Sequence, residues 1–380
     1  MKKLFFAMGV IAMSLTALAC NNSQSKEEGS NLKAIKHEIA KVQKEASELS
    51  KEELIEKMDK RSYALGANMG LSVNFQFEDL GFDVEELKDA IVDFYLNGDR
   101  ESEEFIQNGM KFQQFIYTRF LPYAQAKQTH DTMVEGGMTE GLPEVPELYN
   151  EEFTKSEMTK ILGGQMGASL IDVDNVNFGW LYIGFNNAMA IDKTKLEEVQ
   201  DNTAAMELMD SYLLMTTTEV QQELMTLQRE IMQKQQEEQQ KKAEEAKEAS
   251  AEWLSKIEKQ KGVQKTESGL LYRIDRVGND VFATADTDTV EVNYEGKTRD
   301  GKVFDSSYER GESISFALNR VIKGWTEGMK LVGEGGQITL WIPSDMAYGA
   351  RGAGQDIGPN EALEFKVELI KVTPAEVVEE

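Results

Sequence analysis

The chain offers few residues capable of covalent or acid–base chemistry. Among 380 residues there are two histidines, His37 and His130, and one cysteine, Cys20. Both histidines stand in the N-terminal half. Ser-His-Asp or Cys-His catalysis in the C-terminal half is therefore excluded, as are most histidine-metal sites, a Cys-based zinc cluster and an intramolecular disulfide. The run Gly349-Ala350-Arg351-Gly352-Ala353-Gly354 invites a phosphate-loop reading. It lacks the Gly-Lys-Ser/Thr ending and a following amphipathic helix, so that reading is rejected. With 67 acidic against 41 basic residues the formal net charge is −26, which repels a phosphate backbone, and no nucleic-acid partner is expected. Any chemistry in the C-terminal part must work without a histidine, a thiol or a metal cage. Its conspicuous residues are aromatic: Tyr294, Phe304, Trp325, Tyr348 and Phe365. By composition alone such a set reads first as plain core.

The elements that would position these residues follow from a change of period after Gly262. Leu270–Val277, Val290–Thr298, Ile338–Ile342 and Leu363–Val372 read as strands. Asp300-Gly301 is a hairpin turn signal, and Gly324–Leu331 is a short helix candidate. Together they predict an antiparallel sheet with one short helix.

The order of motifs in this region closely resembles an FKBP-type peptidyl-prolyl isomerase. The resemblance rests on Val290-Glu291-Val292-Asn293-Tyr294-Glu295-Gly296, Asp300 to Ser307, Val321 to Gly328, Ala347-Tyr348-Gly349 and Leu363 to Leu369. It covers residues 263–373. It implies that Trp325 forms a pocket floor, lined by Tyr294, Phe304, Val321, Ile322, Tyr348 and Phe365. It further implies that the Ile322 N–H bonds a substrate carbonyl, and that the Tyr348 hydroxyl bonds the carbonyl beside the imide. Asp305 would sit at the rim, oriented by Arg310 or a tyrosine, with Ile314, Phe316 and Ile357 as further wall residues. Ala353 and Gly358 depart from the residues often found in the last loop. No cofactor or metal is implied. Rotation about a partial double bond needs no nucleophile or base, so Asp305 with Arg310 is not read as an acid–base pair.

The N-terminal half contains a repeat. Tyr63-Ala64-Leu65-Gly66-Ala67-Asn68-Met69-Gly70-Leu71-Ser72 returns in outline as Leu162-Gly163-Gly164-Gln165-Met166-Gly167-Ala168-Ser169, with matches at an offset of 97. Amphipathic segments follow each copy, Val84–Leu96 and Val176–Met189, and longer helical segments follow those. The pairs Gly66/Gly70 and Gly163/Gly167 would each lie on one helix face and admit a close neighbour. They are expected to serve as partner surfaces for the two repeats, within one chain or between two. From Phe185 to Lys261 there is no Gly and no Pro. Met206, Met209, Leu213, Val220, Leu224, Leu227 and Ile231 form a stripe that is expected to pack on the Phe105–Ile116 helix. Gln233–Glu252 has no large apolar residue and predicts a solvated helix, so the stretch from about 195 to 260 could reach roughly 100 Å. This half resembles, more weakly, the helical dimerisation module of macrophage infectivity potentiator-like FKBPs, here present twice.

The start of the chain reads as an address. Met1-Lys2-Lys3 precedes an apolar run, Leu4–Leu18, too short to span a bilayer, and Ala17-Leu18-Ala19-Cys20 resembles a bacterial lipobox. The expectation is a multidomain α+β chain with all-α N-terminal repeats, a long connecting helix, and an FKBP-like antiparallel sheet wrapped on a short helix. Its parts are a signal peptide (1–19), a tether lipidated at Cys20 (20–32), a first helical module (33–130), a linker (131–153), a second module (154–232), a stalk (233–262) and an isomerase domain (263–380). The expected place is the bacterial envelope, at the outer membrane, as a lipid-anchored protein on its periplasmic or surface face. The expected partners are that membrane and proline-containing unfolded or surface-exposed polypeptides. The other reading is a holdase or scaffold whose isomerase-like domain only tethers clients.

Overall fold

The computed structural model describes residues 32–375. The leader and Cys20 lie outside the described residues. The chain divides into two units between Gln233 and Lys234. No helix among the described residues is long and apolar enough to cross a membrane.

In the first unit the helices are α1 (Leu32–Ser47), α2 (Lys51–Lys57), α3 (Lys60–Gln76), α4 (Val84–Asn97), α5 (Glu103–Phe115), α6 (Leu121–Glu135), α7 (Lys155–Ala168), α8 (Phe178–Met189), α9 (Lys193–Glu197) and α10 (Asn202–Tyr212). A π-helical turn, Ile116–Phe120, joins α5 to α6. The helices of the two repeats begin at side-chain caps: Asp59 accepts the Ser62 N–H, Asp83 those of Glu85 and Glu86, Thr154 that of Glu157, and Asn177 that of Trp180.

The repeats interlock within the chain. α3 of the first lies along α8 of the second, and α4 of the first along α7 of the second. Each glycine pair meets the other repeat's second helix, not the other glycine pair. A methyl group at Gly66 or Gly70 would strike the α8 carbonyls of Leu181 and Phe185. One at Gly163 or Gly167 would strike α4 at Ala90 and Ile91. Backbones this close exclude any side chain between them. Polar groups then staple the pairs: the Tyr182 hydroxyl donates to the Lys88 carbonyl at 2.8 Å, and Asn74 Nδ2 to those of Ala188 and Ile191.

Two expectations change here. The Gly- and Pro-free run is not one helix. Asp192 and Asp201 cap new helices, and Thr216 with Glu219 forms reciprocal bonds ahead of α11 (Thr217–Glu258). An N-cap takes extended backbone and bonds the first N–H groups of the helix after it, so a helical run can be divided without a glycine or proline. The apolar stripe is shared out accordingly. Met209 and Leu213 join a core with Ala188 and Ile191, while Val220 joins Tyr63, Ala64 and Trp180. The linker is docked: Phe153 is buried beside Leu80 and Phe115, and the Tyr149 hydroxyl donates to the Leu80 carbonyl.

The second unit holds the end of α11 and a seven-stranded antiparallel sheet. Its strands are β1 (Gln264–Lys265), β2 (Leu271–Arg276), β3 (Thr289–Thr298), β4 (Val303–Ser306), β5 (Ile314–Ala317), β6 (Gln337–Ile342) and β7 (Leu363–Thr373). The order is β1-β2-β6-β7-β3-β4, with β5 also paired to β3. All four strands and the turn read from the sequence are present within a residue or two. The short β1, β4 and β5 carry too little pattern to be read. Two short helices, α12 (Ser307–Arg310) and α13 (Lys323–Gly328), complete the unit. Strict alternation on β3 buries Val290, Val292, Tyr294, Gly296 and Thr298. α11 is helical over 233–252 as expected, yet it is not solvated all round, since Ser250 is buried. Farther along, Ile257 packs with Leu271 and Trp341, and Trp253 and Leu254 pack against them.

Candidate active site

The site is built on Trp325. Ile322 caps α13 with extended backbone (φ −63°, ψ 150°), and its carbonyl accepts the N–H groups of Trp325 and Thr326. Thr326 Oγ1 also donates to the Leu318 carbonyl at 2.6 Å, which ties the helix to the preceding turn. Trp325 is thereby held at 4% exposure. Three rings stand edge-on around it: Tyr294 at 5.1 Å between centroids, Phe365 at 5.3 Å and Phe316 at 5.8 Å. Perpendicular rings set positive edges against negative faces, the favoured aromatic geometry. Tyr294 and Phe365 occupy inward positions of the neighbouring strands β3 and β7. Phe304 of β4 meets Phe365 edge-on at 5.6 Å. Gly296 permits this, because a Cβ there would lie 2.7 Å from both rings. The sequence motif contains Gly296, but only the strand register shows what it makes room for.

One edge of the pocket is polar. The Tyr294 hydroxyl donates to Asp305 Oδ2, and Arg310 Nη1 donates to Asp305 Oδ1. Arg310 Nη2 donates to the Tyr294 hydroxyl at 3.0 Å, and the guanidinium lies 5.6 Å from that ring's centroid. Ser306 caps α12, which carries Arg310, and Ser307 Oγ accepts the Tyr294 N–H at 2.8 Å. This serine, fully buried, ends the Asp300 to Ser307 motif, whose pattern does not show that its hydroxyl serves the Tyr294 backbone. Burial pushes the Asp305 carboxyl up, but hydrogen bonds from Tyr294 and Arg310, with the Arg310 charge, outweigh it and leave it below its ordinary value. The Tyr294 phenol is raised, first by burial and then by its bond to Asp305.

The remaining wall residues gather on the same core. Ile357 is buried in it, and Phe304, Ile314, Phe316, Val321 and Ile322 pack against it, with Ala347 and Ala353 in addition. Ile357 and Ala353 exchange two backbone hydrogen bonds. Tyr348 is 40% exposed. Its phenol is raised, first by burial and then by the Asp305 charge. No hydrogen bond to the Tyr348 hydroxyl or the Ile322 N–H occurs among the described residues. Nor does any group of three His, Cys, Asp or Glu side chains suited to a metal.

An antiparallel sheet wrapped on a short helix, with a tryptophan floor and an aromatic wall, defines an FKBP-type domain. The family model for "FKBP-type peptidyl-prolyl cis-trans isomerase" matches residues 283–370, and that for the "domain amino terminal to FKBP-type peptidyl-prolyl isomerase" matches residues 155–274. The peptidyl-prolyl cis-trans isomerase Mip of Coxiella burnetii is 44% identical over 179 residues, 46% of this chain and 77% of that protein. The chain belongs to the FKBP-type peptidyl-prolyl isomerase family. FkpA of Escherichia coli is 49% identical over 124 residues, 33% of this chain and 45% of that protein. A probable FKBP-type isomerase of Haemophilus influenzae is 47% identical over 129 residues, 34% of this chain and 53% of that protein. The chain thus spans about half the length of these two relatives. The crystal structure of E. coli FkpA aligns with 48% of this chain and 87% of its own, at 38% identity and a TM-score of 0.40. The first helical repeat lies outside both ranges matched by the family models.

Proposed function

We propose that the chain is a peptidyl-prolyl cis-trans isomerase acting on proline-containing polypeptides. The observation that carries this is the Trp325 floor ringed by perpendicular Tyr294, Phe316 and Phe365. The reaction rotates a peptide bond over a barrier of about 18–20 kcal/mol, and breaks no bond. A twisted imide has lost resonance, so its carbonyl is less polar than that of the planar form. A dry aromatic pocket therefore holds the twisted form better, which is how differential binding becomes rate. In this reading the proline ring rests on Trp325. The Ile322 N–H and the Tyr348 hydroxyl hold the flanking carbonyls, and Phe304 and Phe365 close the sides. Asp305 is a rim group: its bonds to Tyr294 and Arg310 hold the ring of Tyr294 in place, and its ionised carboxylate has no proton to give.

The test is the rate of X–Pro isomerisation in short peptides with the chain from residue 21 onward. Catalysis should be evident, and Trp325→Leu and Tyr348→Phe should lower it while far-UV circular dichroism stays unchanged. A folded parent that does not exceed the uncatalysed rate would sink this reading and favour a non-catalytic tether.

The lipobox-like Cys20 further supports a lipid-anchored protein of the bacterial envelope that serves extracytoplasmic clients. Cys20→Ser should move the protein out of the membrane fraction. Retention there would place the anchor elsewhere.

A further inference from the structure

Between Lys242 and Trp253, the residues of α11 that are not exposed are small: Ala243, Ala246, Ala249 and Ser250. They share one helix face at 3–4 spacing and leave the helix backbone approachable. Groups from two loops of the same unit reach it. Asn360 Nδ2 donates to the Ala243 carbonyl at 2.8 Å. Arg299 Nη1 donates to the Ala246 carbonyl at 3.0 Å and to Ser250 Oγ at 3.1 Å. The Ser250 hydroxyl donates to the Asn360 carbonyl at 2.9 Å and accepts the Ala362 N–H at 3.1 Å. One donor and two acceptor sites are all a hydroxyl has, so Ser250, at 4% exposure, is fully engaged.

These bonds converge on the loop that carries one wall of the pocket. Asn360 stands in a left-handed conformation (φ 54°), and its N–H donates to the Gly349 carbonyl at 2.9 Å. Gly349 follows Tyr348 directly. The same loop carries the buried Ile357. Tyr348 is part-exposed, so its placement depends on the backbone next to it, and that backbone is tied through Asn360 to the helix.

We propose that the C-terminal half of α11 is a clamp that sets the 348–362 wall of the proline pocket, with Ser250 and Asn360 as positioning residues. This rests on the isomerase reading above. Without the clamp, Tyr348 and Ile357 would have to be ordered by the substrate at each encounter. That cost falls on binding, so KM should rise while kcat changes little.

The experiment uses the full chain with Ser250→Ala, Asn360→Gly and Ser250→Thr. Asn360→Gly removes only the side-chain bond to Ala243 and keeps the left-handed backbone accessible. Two readouts are needed: KM and kcat on an X–Pro tetrapeptide, and amide hydrogen exchange across 347–361 referenced to β7. The expected result is a rise in KM of about fivefold, near the worth of one net hydrogen bond, with faster exchange confined to the loop, for both Ser250→Ala and Asn360→Gly. Ser250→Thr, which restores the hydroxyl, should restore both readouts. Unchanged loop exchange in Ser250→Ala and Asn360→Gly would overturn the clamp, whatever the activity. Faster exchange with unchanged KM would overturn its link to the pocket. An inactive parent whose loop still loosens in both variants would overturn the isomerase reading and support the clamp itself.

Discussion

Asp305 and the two pocket tyrosines carry shifts of opposite sign. Bonds from Tyr294 and Arg310 overcome burial and hold Asp305 below its ordinary value, while burial and the Asp305 charge raise Tyr294 and Tyr348. Asp305 therefore stays ionised and both phenols stay protonated across the neutral range, roughly pH 5.5 to 8.5. The pH profile of kcat/KM should be flat over that window; a bell centred near neutrality would show a titrating catalytic group that this pocket does not contain. Phe304 is only partly buried, so Phe304→Ala should cost about 1–2 kcal/mol in stability, below the range for a fully buried ring. Its larger effect should be a fall in kcat/KM, separable by assaying well below the melting midpoint.

Elements in this chain are held by backbone approach and by caps. Gly163 on α7 admits no Cβ, whereas a Cβ on its neighbour Gly164 would make ordinary contact with Phe94 at 3.4 Å. Gly163→Ala should then destabilise the first unit by roughly 1–3 kcal/mol through overpacking. Gly164→Ala should be neutral or slightly stabilising through helix propensity. Equal melting temperatures for the two variants would contradict the interlocked packing. In the second unit Asp288 accepts N–H groups from Ala285, Thr284 and Ala375, which hold its carboxyl below the ordinary value. A folded-state value below the unfolded one means stability that is present above about pH 4 and lost as pH falls through the folded value. Asp288→Asn should lower the melting temperature at pH 7 and flatten this acid limb, as thermal scans at several pH values would reveal.

At the scale of the molecule, the packing of α3 on α8 and of α4 on α7 satisfies within one chain the faces that a single repeat would leave open. Two repeats on one chain also raise each other's effective concentration, to the mM range for a short linker. The chain from residue 21 onward is therefore expected to sediment as a monomer across micromolar concentrations. A concentration-independent dimer mass would show that the repeats exchange between chains.

Much of this architecture is written in local chemistry. Inward alternation along β3 and β7 specifies a half-buried strand wherever it occurs, and the Asp300-Gly301 turn joins the two strands beside it with few alternatives. The aromatic set and the absence of histidine or thiol near it determined what chemistry was open, because side-chain type limits reactivity before any fold is known. The helix breaks at Asp192, Asp201 and Thr216 were also legible in principle, since each is a polar cap residue, though none is a glycine or a proline. Tertiary structure alone decided the rest. Gly66 and Gly163 announce a close neighbour, but which backbone comes close depends on contacts more than 70 residues away in sequence. Ser250 sits in a charged run that reads as solvated, and it is buried because Arg299, Asn360 and Ala362 arrive there together. Periodicity reports how a segment relates to its own axis. It carries no record of which distant polar group will need a partner on that face.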